Sequence, residues 1–506
     1  MLSLGRLLQA TVAAHPRRVA VIDGDRRRTW REVGERVART AGLLHGLGLR
    51  AGDRFAILAR NSPLYDELKW AGHWAGIVPV PVNWRLAPPE LRHILTDAGC
   101  RLCFAEADFQ GAFDAPELAS LGVEVRSMGP ELDAARDATE PMPAAGIDPD
   151  AEALLLYTGG TTGRAKGVRL SHANIVSNGL AFGLGAGARG DDVFLHVAPM
   201  FHSADLLATA WVLQGAAHCY LPAFSPAGFL EAVERQGVTA TVTVPAMLMA
   251  AVSHPAIATA DLSSLRLLVF GAAPMAVEWI ERVAAAFPAG CLSNCYGLTE
   301  VAPDLTIFEA GALAEALAGG RGDGRIASVG RPNPLNELRV AGPDGAPLPP
   351  GEAGELWARG PNIMMGYHNL PEETAAAFEG GWFRTGDVAR IDADGYVYLL
   401  DRLKDLVISG GENIYTAEVE AALHRHPGVL EASVIGVPDE RMGEALVAVI
   451  VPRDGAGLTE TVLVEHCRPL IGGYKIPRRY AFVEALPKSA MGKVLKADLR
   501  TRFGPD

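Results

Sequence analysis

Cysteine is scarce in this sequence, with six residues in a chain of 506. So few cysteines in so long a chain exclude a small scaffold held together by disulfides. Cys100 and Cys103 form a Cys-x-x-Cys pair, but no second pair and no nearby histidine completes a metal site. We therefore interpret both residues as part of the core, and Cys291 and Cys295 likewise.

Long apolar runs are also missing. No uncharged apolar stretch reaches the length of about 18 residues that a membrane-spanning helix requires. Residues 1–10 contain Arg6 but lack the apolar core and cleavage site of a secretion signal. We expect a cytoplasmic protein without an integral membrane segment.

The third absence is an excess of positive charge. The formal net charge of −13 argues against a nucleic-acid-binding protein. Residues 402–506 have no formal net charge, because they carry 14 Lys or Arg and 14 Asp or Glu, so the negative charge lies on residues 1–401. The lysines of 402–506 could bring positive charge to an anionic ligand, although we interpret most of them as ordinary surface residues. These lysines are Lys404, Lys475, Lys488, Lys493 and Lys496.

The length predicts at least two domains, because a single core rarely grows beyond about 300 residues. Short apolar stretches alternate with helical spacing, as at 31–47, and this pattern is typical of an α/β layered fold. The segment 108–150 has weak periodicity and predicts a variable surface connection. The predicted strands are 19–22, 55–58, 76–83, 239–248 and 265–274.

The most informative stretch follows the apolar run 154–156. Residues 158–167 hold four glycines, three threonines and Lys166. Glycines let the backbone turn tightly and bring N–H groups close to an anion, while the hydroxyls and the lysine add donors and charge. The loop therefore favours a polyphosphate cradle. It is not the P-loop of kinases, because Arg164 follows Gly163, and a flexible turn between two core elements is the alternative.

A second stretch, 294–300, places three useful side chains close together. Tyr296 offers an aromatic face for a purine. Thr299 offers a hydroxyl to a phosphate, and Glu300 offers a hard oxygen ligand that suits Mg²⁺. The alternative for Glu300 is a solvated loop carboxylate, which predicts no defect in Glu300→Gln. Further along, Asp387 is suited to accept hydrogen bonds from both hydroxyls of a ribose.

Residues 157–168 resemble the phosphate-binding signature of the adenylate-forming superfamily, which includes acyl-CoA synthetases, nonribosomal adenylation domains and luciferases. Gly159 and Ala165 stand where serine and proline are usual, and this version is most similar to fatty-acyl-CoA ligases. Ile471 and Gly472 replace a more usual Leu-Ala pair. The other motifs follow in the family's order at 200–205, 270–274, 294–300, 381–387, 401–405, 409–414 and 487–496. The resemblance thus covers most of the chain.

The resemblance implies an α/β fold with a large N-terminal domain, 1–401, that binds AMP and the acyl group. This domain is expected to contain two α/β layered subdomains and a small β subdomain. A hinge at 402–405 is expected to join it to a small mobile α+β lid, 406–506.

The resemblance also implies roles for single residues. The residues expected in catalysis are Lys493, Glu300, His202 and Thr162, with Glu300 as the metal ligand. The residues expected to bind ATP or CoA are Thr158, Gly159, Gly160, Thr161, Thr162, Gly163, Lys166, Gly271, Ala272, Ala273, Asn294, Cys295, Tyr296, Gly297, Thr299, Asp387, Arg402, Lys404, Gly410, Gly411, Glu412 and Lys493. Taken alone, His202 would be interpreted as a structural histidine, and the stretch 270–274 is equally compatible with a tight strand-to-helix turn.

The implied reaction joins a carboxylic acid to CoA. ATP first converts the acid to acyl-AMP and releases pyrophosphate, with Mg²⁺ as cofactor, and the CoA thiol then displaces AMP. The expected partners are the acid, ATP and CoA, without nucleic acid, and a homodimer stays open. Loading of a carrier-protein phosphopantetheine is one alternative, and the end of the chain at Asp506 favours a free-standing ligase over it. A non-catalytic nucleotide-binding regulator is the other alternative.

The sequence predicts the class of the acid substrate, fatty or aryl, and does not predict which acid it is. Apolar side chains in the stretches 201–211, 240–249, 270–275 and 295–305 suit a fatty or aryl acid. The candidates for lining the acyl pocket are Phe201, Trp211, Met247, Met249 and Phe270. Asp205, His218 and Asp304 could meet a polar substituent, but each is interpreted as a helix cap or a surface residue, and Asp205 alone keeps an amino-acid substrate open.

Overall fold

The computed structural model describes residues 3–158, 165–320, 323–409, 412–439, 442–488 and 494–504. The chain divides into two compact units. The first consists of Met1–Pro274, Glu281–Glu337 and Ala358–Phe383, and the second of Met275–Ile280, Leu338–Trp357 and Arg384–Asp506. The hinge at 402–405 stays a prediction.

The strands in chain order are β1 (Val19–Asp23), β2 (Arg26–Thr29), β3 (Arg54–Leu58), β4 (Val78–Pro81), β5 (Leu102–Ala105), β6 (Glu124–Ser127), β7 (Glu152–Thr158), β8 (Lys166–Ser171), β9 (Val193–His196), β10 (Ala217–Tyr220), β11 (Ala240–Thr243), β12 (Leu267–Phe270), β13 (Leu292–Tyr296), β14 (Thr306–Phe308), β15 (Arg331–Pro332), β16 (Glu337–Ala341), β17 (Gly354–Arg359), β18 (Gly366–Tyr367), β19 (Phe378–Glu379), β20 (Trp382–Ile391), β21 (Val397–Arg402), β22 (Val407–Ser409), β23 (Glu412–Ile414), β24 (Val429–Asp439), β25 (Gly443–Pro452) and β26 (Arg479–Phe482).

The α-helices are α1 (Leu4–Ala14), α2 (Trp30–Gly46), α3 (Pro63–Ala75), α4 (Pro88–Ala98), α5 (Ala107–Gln110), α6 (Pro116–Ala119), α7 (Pro130–Asp137), α8 (His172–Ala186), α9 (Thr209–Gln214), α10 (Pro226–Gln236), α11 (Pro245–Ser253), α12 (Val277–Ala286), α13 (Ala310–Ala318), α14 (Pro371–Ala376), α15 (Thr416–His424), α16 (Glu460–Cys467) and α17 (Lys496–Phe503). Within the described residues, none of these helices combines the length and the apolarity that crossing a membrane requires.

The largest sheet of the first unit has the strand order β15-β14-β13-β12-β11-β9-β10-β1-β2. Its central strands, from β1 to β13, pair in parallel. Parallel strands end at one edge, where ligands bind in open α/β sheets. This edge therefore collects the segments that follow β9, β11, β12 and β13.

Two smaller sheets complete the first unit. The strands β4, β3, β5 and β6 form a parallel sheet, and β18, β8 and β7 form an antiparallel one. Parallel sheets flanked by helices confirm the predicted α/β layers, and the small antiparallel sheet carries the hairpin around the phosphate loop.

The second unit contains two sheets. In the first, β16, β17 and β20 are adjacent and β21 pairs with β20. In the second, the order is β23-β22-β25-β24, with β26 parallel to β25. The core of the second sheet packs apolar residues of α15 and α16 against β24 and β25. The small C-terminal α+β domain that the sequence predicts is thus present.

The core of the nine-stranded sheet uses large aromatic residues. Trp211 is fully buried with Phe182 and Phe194, and its indole N–H donates to Asp192 Oδ2 at 2.8 Å. Burying such a side chain stabilises the fold by about 2–3 kcal/mol. All six cysteines are buried and free, which confirms the interpretation of Cys100, Cys103, Cys291 and Cys295 as core residues.

Two predictions about local structure are wrong. The strand predicted at 239–248 ends at Thr243, because Pro245 occupies the first turn of α11, a position that proline favours. The segment 108–150 is more than a surface connection, since it contains β6 and α7. Arg136 of α7 is almost fully buried and contacts Glu67 at 3.3 Å, so this segment is anchored to the core.

Candidate active site

The predicted phosphate loop connects two strands that pair with each other. Strand β7 ends at Thr158 and β8 begins at Lys166, and these two residues are direct partners in the antiparallel register. The hairpin thereby brings the threonine and the lysine that flank the loop to one end of the sheet. The predicted site residues between them lie outside the described residues; they are Gly159, Gly160, Thr161, Thr162 and Gly163.

Lys166 and Glu300 both contact Tyr367 of β18. The Tyr367 hydroxyl donates a hydrogen bond to Glu300 Oε1 at 2.9 Å. The Lys166 ammonium lies 5.2 Å from the centre of the tyrosine ring, within the range of a cation–π interaction. Tyr367 thus contacts both the predicted phosphate-binding cation and the predicted metal ligand. The sequence patterns did not single out Tyr367, and the only local signal is the Gly366-Tyr367 pair that ends an apolar stretch.

The loop after β9 carries His202 and Ser203 and is held at two points. The side chain of Asn61 bonds three backbone groups between residues 196 and 200, at 2.8, 2.9 and 3.1 Å. Ser203 Oγ accepts a hydrogen bond from Thr299 Oγ1 at 3.1 Å. The ring of His202 packs against Phe201 with 4.4 Å between ring centres. The structure therefore brings the predicted His202 segment to the predicted 294–300 segment.

Two glycines at the ends of β12 and β13 are required by close packing. A Cβ atom on Gly271 would lie 2.6 Å from the carbonyl oxygen of Cys295, and one on Gly297 would lie 1.9 Å from that of Pro303. Ala272 has φ +66°, a left-handed conformation that costs an alanine about 1–2 kcal/mol. Strained backbone of this kind clusters at ligand sites.

The remaining residues predicted for the nucleotide differ in exposure. Ala273 is exposed beside the strained alanine, whereas Tyr296 at the end of β13 is buried. The side-chain amide of Asn294 donates to the carbonyl of Ser328 at 3.3 Å. Asn294 is therefore engaged by its own chain.

A cavity lies at the strand ends of the nine-stranded sheet. Each of the four stretches proposed from sequence for the acyl pocket contributes to its wall, and the volume is about 50 Å³. The residues that line it are Ser203, Ala204, Leu207, Val242, Thr243, Gly271, Ala272, Cys295, Gly297, Pro303 and Asp304.

The large apolar side chains proposed for this pocket do not line it. Trp211 lies in the core of the sheet, and Phe201 and Phe270 are also buried. Neither Met247 nor Met249 is among the lining residues described. The wall is built instead from small and medium side chains of the four predicted stretches, and the assignment of this cavity to the acyl group stays a prediction.

Asp205, His218 and Asp304 are neither helix caps nor surface residues, which corrects the interpretation from sequence. All three are at most 5% exposed. Asp205 accepts hydrogen bonds from Lys69 Nζ and His196 Nδ1, both at 2.6 Å. Burial alone would raise the pKa of Asp205, but the charges of Lys69 and His196 outweigh it and hold the pKa below its usual value.

His218 belongs to the same buried cluster. Its Nδ1 lies 3.0 Å from His196 Nε2, and burial lowers the pKa of His218 to about 3, so the ring is neutral at physiological pH. Because Asp205 already pairs with two groups of its own chain, it does not serve as the partner of a substrate ammonium group. Asp205 therefore no longer supports an amino acid as the substrate.

In the second unit, Asp387 of β20 and Arg402 of β21 face each other as register partners. Arg402 Nε donates to Asp387 Oδ1 at 2.7 Å. The two residues predicted for the ribose are therefore together. Lys404 follows β21 and is exposed. Gly410, Gly411 and Lys493 lie outside the described residues, and no side chain is described for Glu412.

Within the described part of the chain, no group of three or more His, Cys, Asp or Glu side chains forms a metal site. Glu300 is half-buried, and its carboxylate accepts a hydrogen bond from Tyr367. A single carboxylate of this kind fits Mg²⁺, which proteins commonly bind through one or two carboxylates together with substrate phosphates.

Comparisons with family models, with known relatives and with solved structures agree with one another. The family model described as AMP-binding enzyme matches residues 8–368, and the one described as AMP-binding enzyme C-terminal domain matches residues 418–493. A feruloyl-CoA synthase from an Amycolatopsis species is 41% identical over 97% of this chain and 96% of its own length. The fatty acid–[acyl-carrier-protein] ligase ScoC of Streptomyces coeruleorubidus is 34% identical over 97% and 94%. The crystal structure of ATP-bound MatB from Rhodopseudomonas palustris matches with a TM-score of 0.90 and 31% identity over 99% of both chains.

Proposed function

This chain belongs to the AMP-binding enzyme family, and we propose that it joins a compact carboxylic acid, aryl or fatty, to CoA. It is an ATP-dependent acid–thiol ligase that works in two steps, and ATP and CoA are its substrates. The first step forms acyl-AMP and releases pyrophosphate, and the second transfers the acyl group to the thiol and releases AMP.

One arrangement in the first unit supports this assignment most directly. Lys166 and Glu300 meet at Tyr367, while Thr299, next to Glu300, bonds Ser203 at the wall of the cavity. A cation and a hard carboxylate suit the phosphates of ATP, and the neighbouring cavity suits an acyl group. The acid and the triphosphate would therefore meet at the end of the same sheet.

The first step brings two anions together, because the carboxylate of the acid attacks the α-phosphorus of ATP. Fixed cations and donors at that place lower the barrier. We assign Lys493 to bridge the carboxylate and the α-phosphate, Lys166 and the loop with Thr162 to hold the leaving pyrophosphate, and His202 to lie beside the carboxylate. Mg²⁺, when bound at Glu300, would neutralise charge on the phosphate oxygens.

Asp387 and Arg402 are assigned to the ribose. The ion pair at 2.7 Å fixes the carboxylate, which then accepts hydrogen bonds from the sugar hydroxyls. The stretch 294–297 and residues 271–273 are assigned to the adenine and the adjoining acyl carbonyl. Tyr296 would offer its ring and Gly297 the close approach of the backbone.

The second step requires the lysine to leave, because an ammonium between the carboxyl carbon and the solvent would obstruct the thiol. We assign the pivot to the hinge 402–405, centred on Lys404, and the moving part to the lid 406–506. Rotation of the lid would replace Lys493 with Gly410 and Gly411, whose lack of side chains suits the narrow pantetheine arm. Glu412 would lie beside that arm.

The size of the cavity supports a compact acyl group. A site of about 50 Å³ holds groups equal to roughly three to five water molecules, at about 10–15 Å³ each. A space of this size suits one aromatic ring or a short alkyl chain better than a long alkyl chain. The relative named feruloyl-CoA synthase points in the same direction.

Release of AMP tests the function directly. The purified enzyme is incubated with ATP, Mg²⁺ and a panel of cinnamic, benzoic and C4–C16 fatty acids, with and without CoA. We expect pyrophosphate release that requires an acid, AMP release that is stimulated by CoA, and the highest kcat/KM with an aryl or short-chain acid. Pyrophosphate release independent of any acid, or none with all acids, would contradict the proposal.

Transfer to a carrier protein is the second candidate, and the likeness to the ligase ScoC favours it. Both acceptors present the same phosphopantetheine thiol, so the active site alone does not separate them. Parallel assays with CoA and with a holo acyl-carrier protein distinguish the two. We expect a lower KM for CoA, and a lower KM for the carrier protein would reverse the order of the candidates.

The location proposed for the enzyme is the cytoplasm. The six free, buried cysteines are compatible with a reducing compartment, and ATP and CoA are abundant there.

A further inference from the structure

The loop 197–202, which carries His202, is held at both ends. His196 is the last residue of β9, directly before the loop, and Asp205 lies in the 3₁₀ helix Ser203–Ala208 that follows it. The ring nitrogen His196 Nδ1 lies 2.6 Å from Asp205 Oδ1. The two ends of the loop are therefore fixed to each other, and the position of His202 depends on the path of the residues between them.

Asn61 fixes this path with its whole side-chain amide. The amide nitrogen donates to the backbone carbonyls of His196 at 3.1 Å and Ala198 at 2.9 Å, and Oδ1 accepts from the N–H of Met200 at 2.8 Å. An asparagine has two N–H donors and one acceptor oxygen, and all three are used here. An ionised aspartate has the same size but no donor, so it cannot make the two bonds to the carbonyls.

The bonds of Asn61 are connected to His202 through Pro199. This residue lies between Ala198 and Met200, and its carbonyl accepts a hydrogen bond from the His202 N–H at 3.0 Å. A shift of the segment that Asn61 bonds would therefore move the backbone of His202 as well.

Asn61 itself is fixed on both sides. The N–H of Arg60 donates to Glu106 Oε2 at 2.9 Å, and Ser62 Oγ accepts from the N–H of Tyr65 in the first turn of α3 at 3.1 Å. The side chain of Asn61 is buried within this segment. It is thus a fixed point that joins the end of the four-stranded parallel sheet to the loop after β9 of the nine-stranded sheet.

The wall of the cavity at the strand ends, in the described part of the chain, does not include Asn61. Its amide is also fully engaged by the backbone of the loop. An effect of Asn61 on the reaction would therefore act through the position of the loop and not through contact with the acid.

We propose that Asn61 is a positioning residue for the formation of acyl-AMP, which holds His202 beside the carboxylate of the acid. This inference rests on the proposed function, which assigns His202 to that place. Without the amide, two carbonyl groups and one N–H lose their partners, and the loop is free to adopt other paths. A displacement of about 1 Å at a reacting group reduces a rate by about 100-fold.

The first measurement is the rate of acyl-AMP formation in Asn61→Ala, followed as pyrophosphate release at saturating ATP and acid, well below the unfolding temperature. We expect a decrease of about 10- to 100-fold. The KM for ATP should change by less than about threefold, because the groups assigned to the phosphates, Lys166 and Glu300, meet at Tyr367. Asn61→Asp keeps the acceptor and loses both donors, so its rate should fall by at least about tenfold.

The second measurement shows whether Asn61 acts through His202. The rate is compared in His202→Ala and in the double variant that combines Asn61→Ala with His202→Ala. The double variant should be no more than about twofold slower than His202→Ala alone, because the group that Asn61 positions is already missing. A residue that only stabilises the fold would give losses that multiply.

Thr11→Val is the matched control. Thr11 Oγ1 is buried and donates to the backbone carbonyl of Val212 at 3.1 Å, so it also joins distant segments, and valine keeps the shape of the side chain. This variant should lose thermal stability and keep the wild-type rate. Thermal unfolding of each Asn61 variant shows that it is folded at the assay temperature, and Asn61→Asp supplies the rate if Asn61→Ala does not fold.

A wild-type rate in both Asn61 variants, a KM for ATP that rises as much as the rate falls, or losses that multiply in the double variant would overturn the inference. A wild-type rate in His202→Ala would overturn it as well, because Asn61 would then have no reacting group to position. Failure of the proposed function looks different, because then no acid of the panel supports pyrophosphate release in the wild-type enzyme.

Discussion

The hydroxyl of Tyr367 donates to the carboxylate of Glu300 at 2.9 Å, across 67 residues of sequence. The same ring lies under the ammonium of Lys166 at 5.2 Å. Tyr367 touches both groups assigned to the phosphates and to Mg²⁺ without being expected to touch the nucleotide. It is therefore a positioning residue, and its hydroxyl and its ring have separable effects.

Tyr367→Phe removes the hydrogen bond to Glu300 and keeps the ring beside Lys166. We expect a three- to tenfold decrease in the rate of acyl-AMP formation, which corresponds to about 1 kcal/mol for one hydrogen bond. The Mg²⁺ concentration for half-maximal rate should rise, because the carboxylate is less well oriented. Tyr367→Leu should show both this change and a higher KM for ATP. Identical Mg²⁺ dependence in wild-type and Tyr367→Phe enzymes would contradict the role.

Glu300→Gln tests the metal ligand itself. Removing the negative charge should lower the rate of acyl-AMP formation by at least about 100-fold at saturating ATP, as expected for the loss of several kcal/mol of metal-dependent stabilisation. Raising the Mg²⁺ concentration should restore part of the rate. The exposed Glu309 gives a matched control, Glu309→Gln, in the same segment. Equal rates in the two variants would mean that Glu300 is a solvated loop carboxylate.

Lys69 is expected to matter for folding more than for chemistry. Its ammonium lies 2.6 Å from Asp205 and 3.0 Å from Asp66; Lys69 and Asp205 are buried, and Asp66 is partly buried. Lys69→Met leaves the carboxylates of Asp205 and Asp66 without the ammonium that they share, which should lower the free energy of unfolding by about 3–5 kcal/mol.

Urea unfolding measures this change. Arg235→Met, which breaks an exposed ion pair with Glu231, is the control and should cost less than about 1 kcal/mol. A loss in Lys69→Met no larger than that in the control would show that the buried cluster tolerates the missing charge.

Stability should fall as the pH is lowered from about 6.5 towards 4. Burial lowers the pKa of His172 to about 4, from about 6.5 in an unfolded chain. Between these values the unfolded state binds the proton and the folded state does not, so acidification favours unfolding by up to about 1.4 kcal/mol per pH unit. Burial also lowers the pKa of the adjacent His73 well below its usual value, with smaller contributions from His172 and Lys69, so its effect has the same sign.

His172→Gln isolates one of these contributions. The Nδ1 of His172 accepts from the Leu4 N–H at 3.3 Å, and a glutamine oxygen can replace that acceptor. The variant should show a shallower loss of unfolding free energy between pH 6.5 and 5 than the wild-type enzyme. Parallel curves would show that His172 does not titrate on unfolding.

The motifs and the α/β fold could be predicted because both depend on which residues follow one another within short stretches of the sequence. The Gly- and Thr-rich loop lies between two strands whose alternation is visible in the chain, and Thr158 and Lys166 needed only a hairpin to become neighbours. Asp387 and Arg402 are likewise brought together by one antiparallel pairing.

Contacts between distant segments could not be predicted from such patterns. Lys69 is 136 residues from Asp205, so nothing local shows that this aspartate is buried and paired, and it looks like a helix cap. The large apolar side chain of Trp211 suits the wall of a pocket and a protein core equally well. Only the packing of α9 on the sheet shows that it belongs to the core. Tyr367 joins two motifs because β18 pairs with β8, a pairing between strands two residues and six residues long.

The two half-reactions measured separately in Lys493→Ala test the central assignment most directly. Formation of acyl-AMP is followed as pyrophosphate release with ATP and the preferred acid, and thioester formation as the reaction of supplied acyl-AMP with CoA. We expect acyl-AMP formation to be abolished and thioester formation to be spared in Lys493→Ala, with the reverse in Lys404→Pro. Equal loss of both half-reactions in both variants, or unchanged acyl-AMP formation in Lys493→Ala, would contradict the two-step account with a moving lysine.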